Sequence, residues 1–145
     1  MRINFGHLTF IVLFWFTMSL WASSPDGSPP QNAKEAIAKS DVVFLGKVKN
    51  VAKDKLDFPS LAEVRVQKVW KGKDLLPKSV RIDGSGGPTY PARLFKTNAT
   101  YLFYLPVIEK ATVLRADSCL HRVLIESEAK EDLRYLAHIS GQGKK

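Results

Sequence analysis

The chain has few of the residues that make cross-links or bind metals. Its 145 residues include one cysteine, Cys119, and three histidines, His7, His121 and His138. A single cysteine excludes an internal disulfide framework, and the histidines show no familiar metal-ligand spacing to one another or to the cysteine. There is also no internal repeat and no long low-complexity tract. We therefore expect neither a metal nor a cofactor.

Acidic residues are scarce relative to basic ones. The chain has 14 Asp and Glu against 22 Lys and Arg, which gives a formal net charge of +8 at pH 7. This surplus permits contact with nucleic acid, lipid head groups or polyanionic glycans, but it does not select among them.

Long apolar runs are confined to the N terminus. Arg2 precedes the run "LTFIVLFWFTMSLWA", which is shorter than the roughly 20 apolar residues of a membrane span. A secretory signal peptide typically has a charged start, an apolar centre and small residues at its cleavage site. We predict a signal peptide over residues 1–22, with cleavage after Ala22 and export to the periplasm or the medium. A retained N-terminal anchor is the alternative, and only then is membrane contact expected.

The remaining chain is long enough for one compact domain. Residues 23–32 have the Pro and Ser content of a tether, residues 33–140 are predicted to fold, and residues 141–145 are predicted to be a flexible tail. Only one charged residue, Arg2, lies in the predicted signal peptide. The rest therefore has a formal charge of +7, one less than the whole chain.

Alternating and β-branched segments predict a mainly β domain. "AEVRVQKVW" alternates Val64 and Val66 with Glu63 and Arg65, which is the strongest strand signal in the chain. The other predicted strands are "DVVFLGKVKNV", with a bulge or bend at Gly46, then "VRID", "ATYLFYLPVI" and "TVLRA".

A helix is predicted at each end of the domain. "NAKEAIAKSD" predicts a short N-terminal helix, and "SEAKEDLRYLAHI" predicts an amphipathic C-terminal helix. In the second helix we expect Ser127 as N-cap, with Leu133, Leu136 and Ile139 on the inner face. The natural packing of these elements is a small β-barrel of five to six strands, closed or partly open.

Four segments in order carry a resemblance to a known family. They are "AKSDVVFLGKVKNV", "VRVQKVWKG", "FKTNATYLFYL" and "SCLHRVLIESEAKEDLRYL". Together they resemble the bacterial proteins grouped with the tissue inhibitors of metalloproteinases, and they cover nearly all of the predicted mature chain. The resemblance implies a TIMP-like (netrin-like) domain with an OB-type barrel.

The resemblance also bears on Cys119. Relatives carry a second cysteine where this chain has Pro91-Ala92, so Cys119 looks like half of a lost disulfide and is expected to behave as a small buried hydrophobe. The functional alternative is an intermolecular disulfide, in a homodimer or with another protein. Nucleophilic catalysis by Cys119 and His121 would also need an orienting group and an oxyanion site, and the sequence offers no candidate for either. We therefore predict that the protein is not an enzyme.

Protease inhibition is disfavoured by the predicted mature N terminus. The animal inhibitors place an N-terminal cysteine on the zinc of the protease, whereas this chain is expected to begin at Ser23 without one. An inhibitor that lacks this cysteine remains the third hypothesis.

Two polar loops are the candidate binding elements. They are "KDKLDFPS" and "DGSGGPTYPAR", and the second offers Tyr90 and Arg93 as anchors, although both residues can equally be ordinary loop residues. Basic residues on or between the first two strands are expected on a polar outer face: Lys47, Lys49, Lys53, Lys55, Arg65, Lys68, Lys71 and Lys73.

These patterns predict an exported, non-enzymatic protein-interaction module with an unidentified protein partner. The alternative is an OB-type module that binds a polyanion, either glycan or nucleic acid. Nucleic acid is disfavoured by export and by the lack of aromatic residues interleaved with the basic ones.

Overall fold

The computed structural model describes residues 30–53, 55, 57–85, 93–107, 113–116 and 121–142. The predicted signal peptide and the candidate residues Tyr90 and Cys119 lie outside these residues. The described residues form two α-helices, six strands and one 3₁₀ turn. In chain order these are α1 (Ala33–Lys39), β1 (Val42–Ala52), β2 (Leu61–Lys71), the 3₁₀ turn (Lys73–Leu75), β3 (Ser79–Asp83), β4 (Thr100–Leu105), β5 (Val113–Arg115), β6 (Val123–Ile125) and α2 (Lys130–Gln142).

The six strands form one sheet in the order β5-β3-β2-β1-β4-β6. Neighbouring strands are antiparallel except for β3 and β5, which are parallel. The sheet curls into a half-barrel, so that all six strands contribute side chains to one interior cluster. The prediction of a mainly β fold with a short N-terminal and a C-terminal helix is confirmed.

Aromatic residues fill the interior of the half-barrel. Phe44 of β1 and Phe103 of β4 stack with ring centroids 4.9 Å apart. Phe95 meets Tyr101 edge to face at 5.6 Å. Such pairs contribute about 0.5–1.5 kcal/mol beyond the burial of their area.

The two helices cover part of the outer face of the sheet. Val43, Leu102 and Tyr104 point away from the interior and form a second buried cluster with Ala36 of α1 and Leu136 of α2. Strands β1 and β4 are therefore apolar on both faces where the helices lie. This explains why "DVVF" and "TYLFYL" are continuous apolar runs rather than alternating ones.

The predicted irregularity at Gly46 is confirmed. The pairing of β1 with β2 shifts register between Leu45 and Gly46. A Cβ atom at Gly46 would overlap the side chain of Val64, so a glycine allows the two strands to approach here.

The start of α2 differs from the prediction. The amides of Glu128 and Ala129 both donate to the carbonyl of Ile125, so the chain makes a tight turn directly after β6. The helix begins only at Lys130, and Ser127 lies in the turn and is not its N-cap. Strand β6, which the sequence analysis missed, sets the position of this turn.

Candidate functional site

The two loops predicted to bind a partner meet at one end of the half-barrel. The amide of Gly84, at the start of the second loop, donates to the carbonyl of Ser60 at 2.8 Å. The amide of Phe95, just after the second loop, donates to the carbonyl of Pro59 at 3.2 Å. A Cβ atom on Gly84 would come within 2.7 Å of the carbonyl oxygen of Arg93, so the close approach of the loop ends requires a glycine.

Two large apolar side chains are exposed beside this junction. Phe58 is 48% exposed and Leu94 is 55% exposed, and each precedes one partner of the Pro59–Phe95 hydrogen bond. Lys53 and Asp57, on the same loop as Phe58, form an exposed ion pair. We name the surface formed by residues 53, 55, 57–59, 93 and 94 the loop-end surface.

Arg93, a predicted binding anchor, connects the two edges of the sheet. Its guanidinium donates hydrogen bonds to the carbonyls of Ala116, at 3.3 Å, His121, at 3.2 Å, and Val123, at 3.1 Å. Ala116 follows β5 and Val123 begins β6, which are the two outermost strands. Arg93 therefore has a structural role in the half-barrel, and its role in binding stays a prediction.

A second arginine lies close to Arg93 and holds the start of the described chain. Arg93 and Arg122 line a shallow pocket of about 240 Å³. Nη1 of Arg122 donates to the carbonyls of Pro30 and Gln31 at 3.3 and 3.2 Å. The cationic groups of this pocket therefore already donate to acceptors of the protein.

Arg122 also forms a bidentate ion pair with a nearly buried carboxylate. Asp132 of α2 is only 5% exposed, and its two oxygens lie 2.8 Å from Nε and 2.9 Å from Nη2 of Arg122. The hydroxyl of Tyr104 donates to Oδ2 of Asp132 at 2.9 Å. The group ties β4, β6 and α2 together.

This geometry shifts the proton affinities of two of the groups. Burial, and then the neighbouring Asp132 carboxylate, raise the pKa of Tyr104 far above its usual range. The hydrogen bond to Asp132 raises the pKa of Arg122. Both groups are therefore held in their protonated forms at neutral pH.

The sequence analysis missed Asp132 and misplaced Ile139. Ile139 is 36% exposed rather than on the inner face of α2, while Asp132 is buried there. Residue spacing could have indicated the buried position of Asp132, because this residue lies four positions before Leu136 and therefore on the same side of the helix.

A row of hydroxyl and cationic residues crosses the uncovered part of the outer face. The registers pair Thr100 of β4 with Lys47 of β1, Lys47 with Arg65 of β2, and Arg65 with Ser79 of β3. Among the described residues, neither Lys47 nor Arg65 forms an ion pair. We name these four residues the cation row.

A groove adjoins the cation row on the same face. It has a volume of about 500 Å³ and lies toward the ends of β1 and β2 that carry the first loop. Its walls combine apolar and polar residues. Glu63 of β2 lies directly opposite Arg81 of the neighbouring strand β3. The lining of the groove includes Asn50, Ala52, Leu61, Glu63, Ser79 and Arg81.

Comparisons with known protein families and with curated proteins find no match to this chain. Within the described part of the chain, no group of three or more His, Cys, Asp or Glu residues is placed to hold a metal ion. No helix among those residues is both long and apolar enough to cross a membrane. What the chain binds is therefore inferred from its surfaces.

Proposed function

We propose that this chain is an exported, non-enzymatic protein-interaction module of the TIMP-like, OB-type class, and that it binds its partner through the loop-end surface. The class is supported by the curled six-stranded sheet and by a helix at each end of the domain. The observation that carries the binding role is the pair of exposed side chains, Phe58 and Leu94, at the junction of the two loops.

Such a surface has the composition of a protein interface. Aromatic and large aliphatic side chains at the centre of an interface supply most of its energy, while polar residues surround them. Phe58 and Leu94 provide the apolar part. Lys53 and Asp57, whose side chains form an exposed ion pair at 2.8 Å, provide a polar edge.

The loop junction also gives this surface a defined shape. The hydrogen bonds from Gly84 to Ser60 and from Phe95 to Pro59 fix the bases of both loops to each other. Binding residues held on a fixed frame lose less entropy on association than residues on an independent loop. The arrangement favours a specific partner.

Polyanion binding is the second candidate, and the cation row is the observation that favours it. A disulfide through Cys119, to a second copy or to another protein, remains a prediction. Inhibition of a metalloprotease remains the weakest hypothesis, since the predicted mature chain has no N-terminal cysteine.

Site-specific photo-crosslinking in the native host tests the proposal. A photoreactive phenylalanine analogue is placed at Phe58, at Leu94 or, as a matched control, at Leu75. Leu75 is 56% exposed but lies in the 3₁₀ turn between β2 and β3, away from the loop junction. We expect the analogue at Phe58 and at Leu94 to capture the same protein, and the analogue at Leu75 not to capture it.

A double variant then tests whether the contact supports binding. The variant Phe58→Ser/Leu94→Ser is expected to lose the captured protein in a pull-down with purified components, and Leu75→Ser is expected to retain it. The proposal is wrong if all three positions capture the same set of proteins, if none captures any, or if the double variant binds like the native chain.

A further inference from the structure

We propose that the partner presents an acidic segment, which lies across the cation row and places apolar side chains in the adjoining groove. This inference rests on the proposed function, because it assumes a protein partner. It adds the chemical nature of the partner and a second contact surface.

The two cations of the cation row repel each other. Lys47 and Arg65 are directly opposite each other on neighbouring strands, where Cβ atoms are about 4.5–5.5 Å apart. Like charges at this spacing destabilise a sheet, and among the described residues no ion pair relieves them. A carboxylate placed between the two cations would add two attractions that outweigh their repulsion.

The row is wide enough for two acidic residues of an extended segment. It crosses four adjacent strands, β4, β1, β2 and β3, so its ends are about 14 Å apart at the usual strand spacing. The hydroxyl groups of Thr100 and Ser79 stand at the two ends. Alternate side chains of an extended segment are about 7 Å apart, so two acidic residues fit across the row.

Beside the row, the surface is mixed in charge and partly apolar. In the next row toward the loop, Glu63 faces Arg81, so one negative charge balances one positive charge. A polymer with negative charge along its whole length would find no net positive charge there to attract it. The groove also has the apolar side chains Ala52 and Leu61 in its walls. A protein segment that mixes acidic and apolar residues fits both features.

The cation row, the groove and the loop-end surface are continuous. Ala52 ends β1 and Leu61 begins β2, so both flank the loop that carries Phe58. The groove therefore lies between the cation row and the loop-end surface. One partner can contact all three.

Amide chemical shifts of the ¹⁵N-labelled protein, recovered after export, test this inference. The probe is a short blocked peptide that contains Glu and Leu in equal number, and its controls are a Lys and Leu peptide of the same length and a heparin oligosaccharide. We expect the acidic peptide to shift the amides of Lys47, Arg65, Ser79 and Thr100 in a saturable way. We expect the basic peptide to leave them unchanged.

Matched charge reversals assign the effect to the row. The variant Lys47→Glu/Arg65→Glu is expected to weaken peptide binding by about tenfold or more, because it turns attraction into repulsion. Lys34→Glu/Lys73→Glu makes the same change of net charge at two exposed positions outside the row and is expected to change the affinity by less than about twofold.

Three results would overturn the inference. They are no shift with the acidic peptide, equal weakening by both double variants, or tighter binding of heparin than of the peptide at the same amides, which would favour a polyanion. If one of these occurs while crosslinking at Phe58 and Leu94 persists, only the acidic-segment inference fails. If the shifts occur without the crosslinks, the loop-end surface is not the site and the proposed function fails.

Discussion

The two halves of the outer face use arginine for opposite purposes. Under the helices, Arg122 donates hydrogen bonds to Asp132 and to the carbonyls of Pro30 and Gln31. On the uncovered half, Arg65 lies opposite Lys47 without an ion pair among the described residues. The first arginine stabilises the fold, and the second carries the exposed charge that we propose binds a partner. Net charge alone does not distinguish these roles.

The largest expected effect is the loss of the buried ion pair. Arg122→Leu leaves the Asp132 carboxylate buried with Tyr104 as its remaining side-chain partner. We expect the free energy of unfolding to fall by about 3 kcal/mol, as is typical when one partner of a buried pair is removed. Urea denaturation followed by circular dichroism measures this loss.

The matched substitution on the uncovered half is Arg65→Leu. It removes the same guanidinium from an exposed position, and we expect stability to change by no more than about 0.5 kcal/mol. If both variants lose similar stability, the two halves do not differ in the way described here.

A smaller effect is expected from Tyr104→Phe, and it depends on pH. The variant loses the hydrogen bond to Asp132, which contributes about 1 kcal/mol at neutral pH. The pKa of Tyr104 in the folded protein is raised above the value of about 10 for an unfolded chain. The folded protein therefore keeps a proton that the unfolded chain releases, so the contribution of Tyr104 is complete below pH 10 and is lost as the pH rises above it.

Denaturation curves at several alkaline pH values check this prediction. Above about pH 10 the native protein should lose up to about 1.4 kcal/mol per pH unit more than Tyr104→Phe, which corresponds to one proton. Tyr101→Phe is the matched control, since the Tyr101 hydroxyl accepts a hydrogen bond from the amide of Lys96 and has no carboxylate partner in the part of the chain that the structure describes. Parallel pH profiles for the native protein and Tyr104→Phe would contradict the assignment.

Much of the fold follows from local sequence patterns. The alternation of Val64 and Val66 with Glu63 and Arg65 predicted β2, and the run "ATYLFYLPVI" predicted β4, which ends at Leu105, directly before Pro106. Strand β6 has three residues, which is too few to show a period, and it was missed, whereas the equally short β5 was predicted. Strand β6 exists because it pairs with β4, a contact between segments about 20 residues apart.

The candidate site was predictable only where it depends on turn-forming residues. The composition of the two loops identified them, but their contact through Gly84 and Ser60 depends on the curl of the sheet. The structural role of Arg93 has no local signal, because its acceptors are backbone carbonyls more than 20 residues away. The cation row also has no local signal, because the register of four strands brings its residues together.

The smallest expected effect is a gain in stability. Lys47→Glu places a carboxylate opposite Arg65, so a repulsive cross-strand pair becomes an attractive one. We expect about 0.5 kcal/mol of added stability at low salt, and much of this gain should disappear at about 1 M salt, where the Debye length is only about 3 Å.

Lys49→Glu is the matched control for this substitution. Lys49 lies at the register shift between Val48 and Asn50 and has no cross-strand partner in the β1–β2 pairing. The same change of charge there should leave stability nearly unaffected. If both variants gain equally, the gain comes from net charge and not from the row. If only Lys47→Glu gains stability while it also loses affinity for the acidic peptide, the repulsion between Lys47 and Arg65 lowers stability in the free protein and is relieved by the partner.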